Sequence, residues 1–112
     1  MLIPWWWVTQ LLHILVIAPF LVYVGLARPG SPAVYWTLGL LGALLFFNFS
    51  RLLWTDGVRG WLVIHAFLFP SLFLYVAWRG EEATDIAFSL LIAIGSAAAG
   101  YHVIRMISSA VR

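Results

Sequence analysis

The chain has 112 residues, 64% hydrophobic and only 9% charged, where a soluble domain carries about 25% charged residues, so a water-facing surface is excluded. The formal net charge of +2 comes from four acids and six arginines scattered along the chain, which leaves no basic stripe for nucleic acid. Cysteine and lysine are both absent, which excludes disulfides, thiolate metal sites, thiol redox chemistry, Schiff-base cofactors and a P-loop.

Four continuous apolar runs follow in order, each about 20 residues, enough to span a ~30 Å hydrocarbon core as a helix. Barrel strands would instead alternate in short segments. The first run covers residues 5–26. The segment before it, Met1-Leu2-Ile3-Pro4, carries no basic residue, and no small-residue cleavage site follows the run, so it reads as a retained span. Ala27-Arg28-Pro29-Gly30-Ser31-Pro32 breaks the chain, and Ser31 with Pro32 is expected to cap and open the second helix, residues 33–54. Thr55-Asp56-Gly57 is the next break, with Asp56 expected as a cap for the third helix, residues 58–78. Arg79-Gly80-Glu81-Glu82 is expected to turn the chain, and Thr84 or Asp85 to cap the fourth helix, residues 85–107. The expected fold is therefore all-α: an integral membrane four-helix bundle running up-down-up-down within one domain.

Orientation follows the arginines. Arg51, Arg59, Arg105 and Arg112 share one side, Arg28 and Arg79 the other, which predicts both termini and the middle loop on the cytoplasmic side. Trp5, Trp6, Trp7, Trp54 and Trp61 would form the inner aromatic belt. Tyr23, Tyr35, Trp36, Tyr75 and Trp78 would form the outer one.

The two halves, roughly 1–55 and 56–112, resemble each other. Leu12-His13 precedes Tyr23-Val24 by the same interval that separates Ile64-His65 from Tyr75-Val76. Pro19 and Pro70 lie between them, offset by one position and expected to kink their helices. Phe47-Asn48-Phe49-Ser50-Arg51 matches Tyr101-His102-Val103-Ile104-Arg105. The pattern predicts two parallel-oriented copies of one helical hairpin.

At 1.5 Å per residue, His13, Asn48, His65 and His102 fall in one layer, roughly 4 to 10 Å cytoplasmic of the midplane. Arg51 and Arg105 lie one turn nearer the cytoplasm. Polar groups at that depth are expected to face inward. With helices one and three diagonal, His13 and His65 would oppose each other, the arrangement of a bis-histidine haem b with His102 as an extra ligand or hydrogen-bond partner and Arg51 and Arg105 as its anion partners. His13, His65 and His102 could instead hold a divalent metal, or relay protons. The plainer alternatives are cross-helix hydrogen bonds for the histidines and Asn48, and snorkelling for the arginines. Ser89, Ala93, Ser96 and Gly100 form a small-residue stripe on the fourth helix, and Gly39 and Gly42 do the same on the second. Both permit close helix approach, in a bundle centre or a homodimer.

Length and helix count are similar to those of small multidrug resistance transporters and small fluoride channels. The first-helix glutamate of the former and the Gly-rich arginine motif of the latter are absent. Three functions therefore stand as expectations: a haem- or metal-binding membrane redox subunit, a small channel or carrier, and an accessory subunit of a larger membrane complex. No Ser-His-acid set, paired carboxylates or metalloprotease spacing points to an enzyme.

Overall fold

The computed structural model describes residues 5–111, and every element among them is helical. The expectations placed on Met1–Pro4 and on Arg112 lie outside the described residues. Four helices are long and apolar enough to cross a membrane: α1 (Trp5–Ala27), α2 (Pro32–Asp56), α3 (Gly60–Glu82) and α4 (Asp85–Ala110). At 1.5 Å per residue they are about 35 to 39 Å long, sufficient for the hydrocarbon core and part of each interface. Many large apolar side chains, Leu15, Phe47, Ile86 and Ile104 among them, are exposed, as suits a hydrocarbon solvent.

Helix ends follow local chemistry. Ser31 occupies the N-cap of α2 with Pro32 opening the helix, but its side chain makes no capping bond; its carbonyl accepts from the Val34 N–H at 3.2 Å instead. Asp56 does not cap α3, contrary to the sequence expectation. It is the last residue of α2, where its carboxylate accepts from the Thr55 hydroxyl at 3.0 Å. Gly57 ends α2 at φ +90°, a backbone conformation suited to glycine. The chain then stays extended to Arg59, the residue before Gly60 opens α3. Gly80–Glu82 tightens into a 3₁₀ turn at the end of α3.

α1 and α3 each contain one widened, π-helical turn, at His13–Ile17 and Ile64–Leu68. Pro19 and Pro70 each lie two residues beyond. A proline removes an N–H and presses on the carbonyl four residues back. In the widened turns the Ala18 N–H reaches back five residues to His13 O, and the Phe69 N–H reaches Ile64 O. The bonding thus shifts by one residue just before each ring arrives.

The helices pack as two compact pairs, α1 with α4 and α2 with α3. In the α1·α4 pair, Ala18, Leu21 and Val24 are buried on α1, and Ala87, Phe88 and Leu91 on α4. Gly25 and Gly95 let the backbones approach. A Cβ at Gly25 would lie 2.7 Å from Phe88 O, and one at Gly95 2.9 Å from Ala18 O. The Ser89, Ala93, Ser96 and Gly100 stripe lies off this face and is exposed, and nothing lies within 4 Å of a Cβ built on Gly100. Arg28 closes α1 in the left-handed conformation, φ 45°, which is strained for a residue with a side chain. Its guanidinium donates to Asp85 at 2.6 Å and lies over the Phe88 ring at 4.7 Å, tying the end of α1 to the start of α4. An Asp there also suits the positive end of the helix dipole.

In the α2·α3 pair, Tyr35 and Leu38 are buried on α2, and Leu62, Ala66, Pro70, Phe73 and Val76 on α3. Gly39 meets the Ala77 side chain, and Gly42 meets Phe73 and Leu74, with a built Cβ at 3.1 to 3.2 Å.

These contacts set a contrast. Gly25→Leu or Gly95→Leu should lower stability by about 1–3 kcal/mol, occasionally more, through overpacking against backbone. Gly100→Leu should leave it within about 0.5 kcal/mol. Thermal unfolding in detergent micelles checks the order, and equal losses at all three positions would contradict the assigned packing face.

Candidate functional site

The polar groups inside the apolar helices are the natural place to look for chemistry. In the α1·α4 pair, three of them meet. His13 and His102 stack with ring centroids 4.2 Å apart and planes tilted by 33°. Gln10, one turn before His13, is only 4% exposed, and its Oε1 accepts from His102 Nδ1 at 2.5 Å. His13 Nδ1 in turn donates to the Thr9 carbonyl at 2.7 Å.

An amide or carbonyl oxygen cannot donate a hydrogen bond. The ring nitrogen facing it therefore carries the hydrogen, which in a neutral ring is the Nδ1–H tautomer. With Thr9 O and Gln10 Oε1 as the facing atoms, each imidazole donates from Nδ1, and in the neutral ring the lone pair is then on Nε2. Histidines that bind metals show this division of labour: one nitrogen is oriented by an oxygen acceptor, the other coordinates.

In the α2·α3 pair, His65 Nδ1 donates to the Trp61 carbonyl at 2.7 Å. The ring lies among Phe49 and Phe69, each at 4.9 Å, and Trp61 at 6.0 Å. His65 has its Nδ1–H committed as His13 does, and its ring packs among aromatic side chains.

The remaining candidates divide. Asn48 and Arg51 are exposed and bonded to each other along α2, Nη2 to Oδ1 at 3.0 Å. The expected inward orientation of Asn48 is not what the structure has, because residues three apart share a helix face and the guanidinium satisfies the amide oxygen locally. Arg105 also stays exposed on α4. It approaches the Tyr101 hydroxyl at 3.3 Å and lies over the Trp6 ring at 5.8 Å, so aromatic surface supports its charge. Pro19 and Pro70 follow the widened turns on which His13 and His65 begin or nearly begin. Such turns recur at functional sites.

Two limits on the chemistry follow. Rings in contact at 4.2 Å leave no room for a porphyrin between His13 and His102, since two axial nitrogens alone would be about 4 Å apart with their rings pointing away from each other. Among the described residues, no group of three or more His, Asp or Glu is gathered as a metal site. Gln10 was not among the sequence candidates. Its signal was a lone amide inside an apolar run, three residues before a histidine, which places it on the same helix face.

No family model, curated protein or solved structure matches the chain.

Replacing Gln10 by Leu removes the acceptor from a partly buried imidazole. The expected loss is about 1–3 kcal/mol of stability, together with loss of the single Nδ1–H tautomer of His102, read by ¹⁵N NMR of the ring nitrogens. Asn48→Ala, at an exposed local pair, should change stability by less than about 0.5 kcal/mol. An unchanged His102 spectrum in Gln10→Leu would show that the bond does not set the tautomer.

Proposed function

We propose that this is a small multi-pass membrane protein that binds a transition-metal centre through histidine. The site is the His13–His102 pair, with Gln10 as the residue that orients it. The observation supporting this reading is that each imidazole directs Nδ1 at an oxygen acceptor while the two rings touch, the orientation in which metal-binding histidines coordinate through Nε2. Imidazole suits Zn, Cu, Fe and Ni, whereas the absence of a carboxylate from the cluster disfavours Mg and Ca. Two protein donors leave coordination positions open, which suits an exchangeable or reactive ion better than a closed structural centre.

The duplicated-hairpin reading belongs to the same proposal, and burial supports it. Laying His65 on His13 puts Leu62 on Gln10, Pro70 on Ala18, Phe73 on Leu21 and Val76 on Val24, all buried. Laying Gly95 on Gly42 puts Phe88 on Tyr35 and Leu91 on Leu38, again all buried. The glycines even meet equivalent neighbours: Gly42 faces Phe73 and Leu74, and Gly95 faces Leu21 and Val22. This register differs by one residue from the Asn48-to-His102 match of the sequence motif, and it aligns Phe49 with His102. One copy then stacks His13 on His102, and the other stacks His65 on Phe49. On this view the repeat built two equivalent helix pairs, and only α1·α4 acquired the second imidazole and its glutamine. The up-down-up-down order, with both termini on the cytoplasmic side beside Arg51, Arg59 and Arg105, completes the proposal.

A second reading is proton transfer in a channel or carrier. The contact between two titratable rings favours it, and it needs no third ligand.

Titration of detergent-purified protein with Zn(II) or Co(II), free of affinity-tag histidines, should show one bound equivalent. His13→Ala and His102→Ala should each weaken binding at least tenfold, and Gln10→Leu, which removes only the orienting bond, about 10- to 100-fold. His65→Ala should retain binding. Absence of uptake would reject the metal reading. Proton flux into liposomes that depends on His13 and His102 would then support the second. A Soret band with added haemin, lost in His13→Ala, would make haem iron the ligand in place of a free ion.

A further inference from the structure

The α2·α3 pair carries a groove of about 770 Å³ at the end of the hairpin remote in sequence from His65, within the usual range of ligand sites. Its walls come from Trp36, Leu40 and Ala43 of α2 and from Leu74, Ala77 and Trp78 of α3. On α2 these residues recur at i, i+4 and i+7, one continuous stripe. On α3, Leu74, Ala77 and Trp78 do the same at i, i+3 and i+4. The groove exists because small residues line its floor: Gly39 meets only the Ala77 methyl there, so the bulky walls stand apart above a shallow seam.

Two features identify the occupant. The first is length. From Pro32 at the mouth to Ala43, the stripe runs about 16 Å along α2, which is close to half of a ~30 Å hydrocarbon core. The groove thus begins at a helix end, where the chain meets the headgroups, and stops near the bilayer centre. That is the depth of one acyl chain in one leaflet. The second is charge. Arg79 and Glu81 both line the mouth. The Glu81 carboxylate is held beside Gly30, where a built Cβ would be 3.3 Å from its Oε1. Arg79 is half-exposed and only loosely paired with Glu82 at 3.8 Å, a separation too long for a strong ion pair, so its guanidinium has donors to spare for a phosphate. A cation and an anion at the mouth of one apolar slot complement a phosphate and an ammonium over an acyl chain.

We propose that this groove binds one phosphatidylethanolamine molecule, with the phosphate on Arg79, the ammonium on Glu81, and an acyl chain along Leu40, Ala43 and Leu74. The flanking Trp36 and Trp78 rings sit at the level of the lipid interface, where indoles are favoured. The site is independent of the histidine pair.

Native mass spectrometry tests it. Full-length protein in detergent is incubated with equal amounts of phosphatidylethanolamine, phosphatidylcholine and phosphatidylglycerol. The expected result is one retained phosphatidylethanolamine, in at least fivefold preference over each of the others. Arg79→Gln should abolish retention of all three, and Glu81→Gln should abolish the preference over phosphatidylcholine. Ala43→Phe, which fills the slot, should abolish retention, whereas Leu44→Phe on the exposed face should not. The two charge variants lie at an exposed helix end and report even if Ala43→Phe does not fold. No retained lipid, equal retention of the three lipids, or retention unaffected by Arg79→Gln and Glu81→Gln would overturn the proposal.

Discussion

In hydrocarbon a backbone N–H or C=O has no water to turn to, so each must find its partner within the chain. That requirement makes all the membrane-length elements helical, and it also explains where the helices depart from regularity. Pro19 and Pro70 each delete a donor from a span. The widened turns at His13–Ile17 and Ile64–Leu68 absorb the change by shifting bonds one residue back. The same turns carry the histidines, so the device that accommodates proline also sets the height and direction of the imidazoles.

Helix association in a bilayer gains little from burying apolar surface, because lipid is equally apolar, and depends on close packing instead. Gly25 and Gly95 supply it in one pair, Gly39 and Gly42 in the other. Arg28 adds a charged clasp at the rim of the α1·α4 pair, where water can still solvate the ions. Being exposed, such a bond contributes little energy in itself. Its value lies in holding a strained left-handed residue and two helix ends in one arrangement.

Against this apolar packing, the Gln10–His102 bond and the His13–His102 stack stand out because polar groups at such depth need partners. In the proposed repeat register, Leu62 of the α2·α3 pair corresponds to Gln10, and Phe49 to His102. On the proposed duplication, the two pairs would share one packing with and without a polar cluster. In that register Leu and Phe serve packing where Gln10 and His102 add polar groups.

Much of this was legible in the chain itself. Run length and charge scarcity set the number and type of the spans, because hydrocarbon imposes both regardless of how helices pair. The recurrence of His, Pro and Tyr pointed to the likeness of α1 and α3 for the same local reason: each motif lies within one helix. The identity of the packing faces was not legible. In so apolar a chain every face of α4 is hydrophobic or small, and nothing local favours Gly95 over the Ser89–Gly100 stripe. Asn48 looked inward by depth, yet Arg51 one turn away satisfies it outside. Gln10 acquires its meaning only from His102, at the far end of the chain. The sequence determined which segments are long and apolar enough to cross a membrane, since that depends on composition along one helix. Tertiary structure decided which of them meet, since that depends on rotation and register between helices far apart in sequence.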